Sequence, residues 1–172
     1  MEVDRLSSEE YPAFYQDYIN NIPREASLGM LFKSNIENLK DITRTISPDK
    51  FSYRYAPEKW SVAEVLQHLI DVERVFQYRA LCIARGDKTS LPGFDHEDYV
   101  FKSEAGNRSP DSLREEAKIV RSSSIALYNS FSEPVLMRKG NMNNAPASVR
   151  AIGFIIVGHT RHHIKILREK YL

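Results

Sequence analysis

Four stretches of this chain repeat apolar residues at the 3.6-residue period of an α-helix, and each is bounded by residues that start or stop one. In residues 26–46, Leu28, Leu31, Phe32, Ile36, Leu39, Ile42 and Ile46 share a face, and Pro48 stops the run. Trp60-Ser61-Val62-Ala63-Glu64 then spells a capping box: Ser61 accepts from the Glu64 backbone while Glu64 reaches back. From there Val62, Val65, Leu66, Leu69, Val72, Phe76, Ala80 and Ile83 trace one stripe up to Gly86, which ends the helix. Ser109-Pro110-Asp111 opens a third helix with Leu113, Ala117, Val120, Leu127 and Phe131 as its buried face and Pro134 as its stop. Ser148 starts a fourth that runs to about Lys170. A short helix is also expected within residues 11–19, and a short extended piece within the loop 135–144. Four long amphipathic segments without a strand-like alternation predict an all-α fold, a four-helix bundle forming one domain over residues 1–172.

With 172 residues the chain buries a sufficient core without metal or disulfide staples, so a metal site here would serve chemistry rather than folding. The net charge of +1 gives no field to recommend nucleic acid or an anionic membrane as a partner. Cys82 is the only cysteine, which excludes an internal disulfide and a Cys-Cys metal site and fits a reducing compartment. It lies one turn before Gly86 and reads as core rather than nucleophile. The start, residues 1–5, is acidic and leads into no apolar segment of signal-peptide length, and no run approaches about 18 apolar residues. These features predict a cytoplasmic protein.

Within the fourth segment, Ile152, Ile156, His159, His163, Ile166 and Leu167 fall on one stripe, with Arg161, Lys165 and Arg168 opposite. His159 and His163 are therefore two imidazoles one turn apart on the core face, a common helical offer of two nitrogen ligands. Buried among isoleucines, such rings are costly unless their nitrogens find partners, either a metal or nearby hydrogen-bonding groups. His68, about ninety residues upstream, sits at the flank of the second stripe and is the candidate third ligand. Three histidines leave a metal an open position, the mark of a reactive site. Asp71 and Glu64, one turn either side, are candidates to orient His68, and Asp71 and Glu73 are the candidate general bases. His162 lies off the inward face and reads as a bundle-edge or partner-facing residue.

The connection containing Leu91-Pro92-Gly93-Phe94-Asp95-His96-Glu97-Asp98-Tyr99 is long for a bundle and fits a segment that covers something. His96 reads there as part of a solvated acidic turn, or as a substrate contact if the loop folds over the bundle. Tyr53, Tyr55, Phe94 and Tyr99 are candidates for an aromatic entrance or for plain packing. No glycine-rich phosphate loop, no His-Glu-x-x-His and no serine-nucleophile motif is present.

Three pieces together resemble the DinB-like superfamily of YfiT-type proteins and thiol-dependent transferases. They are Trp60-Ser61 with His68-Leu69 following, the loop from Pro92-Gly93-Phe94-Asp95 to Tyr99, and Gly158-His159-Thr160-Arg161-His162-His163 with Ile166-Leu167-Arg168-Glu169 after it. The resemblance covers most of the chain from about residue 50 onward. It implies a four-helix bundle with a long crossover connection, often a homodimer, and places a metal triad on His68, His159 and His163. It further implies a divalent metal, zinc or nickel, that activates a low-molecular-weight thiol such as bacillithiol for transfer to a small electrophile. Two other readings stay open: a hydrolase that uses metal-bound water, and a non-catalytic metal- or ligand-binding protein.

Overall fold

Serine starts every long helix of the chain. The computed structural model describes residues 6–172, and the acidic start at residues 1–5 lies outside the described residues. In chain order the helices are α1 (Gln16–Asn20), α2 (Leu28–Thr45), α3 (Val62–Ala84), α4 (His96–Lys102), α5 (Pro110–Asn129), α6 (Glu133–Leu136) and α7 (Val149–Lys170). Ser27, Ser61, Ser109 and Ser148 accept from the backbone N–H groups of Met30, Glu64, Ser112 and Ala151, so α2, α3, α5 and α7 each begin with an orphan donor satisfied. Ser61 and Glu64 form the reciprocal capping box expected of them. Gly86, at φ 80°, supplies the left-handed residue just beyond α3.

The four long helices form the bundle. α3 packs against α5 and α7, while α2 packs against the same two, so α2 and α3 stand diagonally across the core although they are consecutive long helices. The chain between them, residues 46–61, is thus a crossover, as the family resemblance implied. A second diagonal step joins α5 to α7.

Apolar stripes account for most of the core. Phe32, Phe76, Ile152, Phe154 and Ile155 fill one end, and Leu39, Leu66, Ile70, Leu113 and Leu167 the other. Between these clusters lies a buried polar tie that touches all four long helices. Arg121 donates from Nε and Nη2 to the two Glu73 carboxylate oxygens at 2.7 and 2.9 Å, and Nη2 also donates to Thr160 Oγ1 at 3.0 Å. Ser124 Oγ donates to Glu73 Oε1 at 2.6 Å, and Arg121 Nη1 reaches the Phe32 carbonyl.

Several connections differ from their sequence-based expectation. The short helix expected within 11–19 is present as α1 in the second half of that stretch, and a 3-10 turn at Ala13–Tyr15 leads into it. α5 stops at Asn129, and Pro134 sits in the first turn of α6 rather than ending α5, because proline's missing N–H is harmless there. The expected extended piece is a full hairpin, β1 (Lys139–Met142) with β2 (Ala145–Ser148). Its turn residues Asn143 and Asn144 have φ of 52° and 61°, the pair of positive values that a two-residue hairpin turn requires. The loop after Leu91 is partly helical: the Asp95 carboxylate accepts from the Glu97 and Asp98 N–H groups and caps α4, so the acidic cluster is a helix start instead of a solvated turn.

Candidate metal centre

The site is built where α3 and α7 meet, beside α1. Every residue from 149 to 160 is buried, because α1 covers the face of α7 that the bundle leaves open. Gly158 makes that cover possible. A Cβ there would lie 2.3 Å from the Tyr18 carbonyl oxygen, so only glycine lets the α1 backbone come this close. The approach sets the Tyr18 ring 5.4 Å from both the His159 and His162 rings.

His68, His159 and His163 converge, and each is at most 8% exposed. One ring nitrogen of each lies within 4.8 Å of the others. His68 Nε2 and His159 Nε2 are 3.0 Å apart, and buried His163 Nδ1 has no hydrogen-bond partner. Trp60 walls the group off: its ring lies 4.5 Å from that of His68 and stacks on His163 at an interplanar angle of 18°. Trp60 Nε1 donates to Glu97 Oε2 at 3.0 Å, which ties α4 to the site.

Burial pushes all three imidazole pKa values down, His68 to about 3, and the neighbouring rings push in the same direction. The rings are therefore neutral at pH 7, the form in which an imidazole nitrogen is a ligand. Neutral rings crowded nitrogen to nitrogen, with one nitrogen orphaned, fit a borderline divalent cation as their shared partner.

A cavity of about 360 Å³ opens over these rings. Among the described residues fifteen line it, and none of them is acidic. Val72, Phe76 and Arg79 continue the lining along α3 beyond His68, and Phe94 arrives from the loop. His96, at the start of α4, also lines it, with its ring 5.7 Å from His68, so the loop does fold over the bundle. His162 is half-buried against Tyr18 and lines the cavity too. A groove of about 450 Å³ beside Leu39, Lys40 and Arg114 contains none of the histidines.

The acidic candidates stand elsewhere. Glu73 is the buried partner of Arg121, and Asp71 accepts from Gln67 Nε2 at 2.9 Å, with its pKa raised by burial. Glu64 is held by Ser61 and Arg54, so neither it nor Asp71 orients His68. Tyr53 and Tyr55 pack on Tyr171, away from the cavity, and Tyr99 packs on Phe94 at its edge. Cys82 packs against the core. Arg79, Tyr15 and Tyr18 escaped the sequence reading; Arg79 had a signal, since it stands three turns from His68 on one helix face.

The sequence profile of the DinB superfamily matches residues 31–167, most of the chain and all three histidines. The chain belongs to the DinB superfamily. Among solved structures, this DinB protein is similar to YfiT from Bacillus subtilis, described as a probable metal-dependent hydrolase with an unusual four-helix bundle topology. The TM-score is 0.75 at 15% identity, over 86% of this chain and 90% of that one. It is also similar to a mycothiol-dependent maleylpyruvate isomerase and to a mutant of that enzyme, each with a TM-score of 0.69 at 10% identity. These matches cover 81% of the DinB chain but only 59% of the isomerase. No curated protein sequence matches. At such identities the likeness is one of fold.

Proposed function

We propose that this DinB protein is a metal-dependent enzyme in which His68, His159 and His163 hold a divalent zinc or nickel ion and the cavity above them joins a small thiol of the bacillithiol type to an electrophile. The observation that carries this reading is the convergence of three buried imidazoles under a cavity whose lining contains no carboxylate. Such a cation lowers the pKa of a thiol or water in its open position.

The protein's own groups hold and shield. Trp60 packs against the His68 and His163 rings, and Tyr18 meets the His159 ring edge-on, so aromatic contacts hold the imidazole planes. Neither Glu73 nor Asp71 lines the cavity, so among the described residues no carboxylate base stands ready to take a proton from water. That absence from the lining favours an external nucleophile that ionises easily, a thiol, over the hydrolase reading. His96 at the mouth is the one half-exposed ionisable group of the covering helix that reaches the cavity. The mycothiol dependence of the similar isomerase supports a thiol partner. A reducing, cytoplasmic setting agrees with the single cysteine, and exposed Phe14, Met30 and Phe101 offer apolar surface for a homodimer.

The test is to measure metal in protein purified without a histidine tag, and then alkylation by an electrophile with and without bacillithiol or mycothiol. One equivalent of metal, lost in His68→Ala and His159→Ala, with thiol-dependent turnover, is expected. Turnover that ignores the thiol would move the reading to a hydrolase, and unchanged metal content in both variants would remove the centre.

A further inference from the structure

Arg79 is a buried cation in the cavity without an acidic partner. Only 3% exposed, it lies eleven residues after His68 on α3, about 16 Å along the helix and within roughly 20° of the same face. Its Nη2 donates to the Pro92 carbonyl at 2.7 Å, which pins the covering loop. Its guanidinium carbon sits 5.4 Å from the Phe76 ring centre and 5.5 Å from that of Phe94. The Tyr15 side chain is its remaining electrostatic neighbour, and no carboxylate among the described residues pairs with it.

A buried guanidinium is ordinarily matched by a carboxylate, because an unmatched charge away from water is costly. The other two buried arginines follow this rule: Arg121 has Glu73 and Arg150 has Glu10. Arg79 departs from it, and it does so facing a cavity in which, among the described residues, it is the only lysine or arginine and no side chain is acidic.

We propose that Arg79, framed by Phe76, Phe94 and Tyr15, is a subsite for a ligand carboxylate, so that the molecules this site accepts are organic acids held by one end while the other reaches the three histidines. The proposal rests on the metal-centre reading only for what happens at the far end. A single guanidinium matches the single charge and planar fork of a carboxylate, whereas a phosphate dianion would need a second cation that the lining lacks. The cavity volume suits a ligand of small-peptide size. The carboxylate belongs either to the thiol or to its acceptor, and the two sources are separable.

Binding is measured by calorimetry on zinc-loaded and on metal-free protein. The probes are glutathione against its diethyl ester for the thiol, and 4-methylbenzoate against its methyl ester for an acceptor. Wild-type protein should bind at least one acid tenfold or more tightly than its ester, and the probe pair that shows this identifies the source. Arg79→Met, which keeps the packing between the phenylalanine rings, should abolish that preference while ester affinity stays within about twofold. Arg79→Lys should retain part of it. Equal affinity for acid and ester in the wild type, or no binding of either acid, overturns the proposal without any variant. Preference for the acid in metal-free protein that fails to take up zinc would uphold the subsite while the metal reading falls.

Discussion

His68 and His159, 91 residues apart in sequence, meet nitrogen to nitrogen at 3.0 Å in the interior of the bundle. Two neutral imidazoles satisfy each other there with at most one shared proton, and His163 beside them keeps an unpartnered Nδ1. The cluster is thus under-satisfied by the protein alone, and burial holds it neutral.

Metal-free protein should be acid-labile. The folded pKa values lie below the ordinary value of 6.5, so the unfolded chain binds protons that the folded one refuses. The stability that these rings contribute is fully present above pH 6.5 and is lost as pH falls toward about 3, the value for His68. Each histidine adds a slope of about 1.4 kcal/mol per pH unit in that window. Urea unfolding of metal-free protein from pH 7 to 4 checks this, with His68→Leu expected to show a shallower fall; identical pH profiles for the two proteins contradict it.

The Arg121–Glu73 pair should be costly to halve and cheaper to remove whole. Either Glu73→Leu or Arg121→Met strands a buried charge, with an expected loss of about 3–5 kcal/mol. The double variant should recover a good part of this, although Ser124 and Thr160 then lose partners. A double-mutant cycle by chemical denaturation reads the coupling directly, and additive losses would show that the pair does not act as a unit.

Much of this was legible because it is local. Serine caps, stops and the 3.6-residue stripe place α2, α3, α5 and α7, and the inward turn of His159 and His163 follows from the same period. His68 was harder, since its flank position says only that it reaches sideways; spacing made it a candidate third ligand, and the family resemblance fell on the same three histidines. The hairpin turn at Asn143-Asn144 and the cap at Asp95 are written in short polar runs that look like any loop until the φ angles are known. Arg79 and Tyr18 were missed for a different reason: what matters is the acid that does not face Arg79 and the backbone that touches Gly158, and both are tertiary facts.

Gly158→Ala is expected to cost about 1–3 kcal/mol, the range for overpacking a close contact. The methyl meets the Tyr18 main-chain oxygen, so Tyr18→Ala should not rescue it. Gly29→Ala is the matched control, because nothing lies within 4 Å of its Cβ and helix propensity favours alanine. Thermal unfolding of the four proteins decides the matter; a harmless Gly158→Ala would mean that α1 does not rest on α7 in solution.

Trp60 turns the centre into its own reporter. It is the only tryptophan, and its ring lies against His68 and stacks on His163. An open-shell cation such as nickel or copper held by these rings sits close enough to quench indole emission, whereas zinc, with a filled d shell, does not. Titration with nickel should therefore lower the fluorescence to a break at one equivalent per chain, and zinc added first should prevent the loss. His163→Ala should remove the break while leaving the emission of metal-free protein strong, since Trp60 stays held by Glu97. Quenching that persists in His68→Ala, His159→Ala and His163→Ala alike would place the ion elsewhere on the chain.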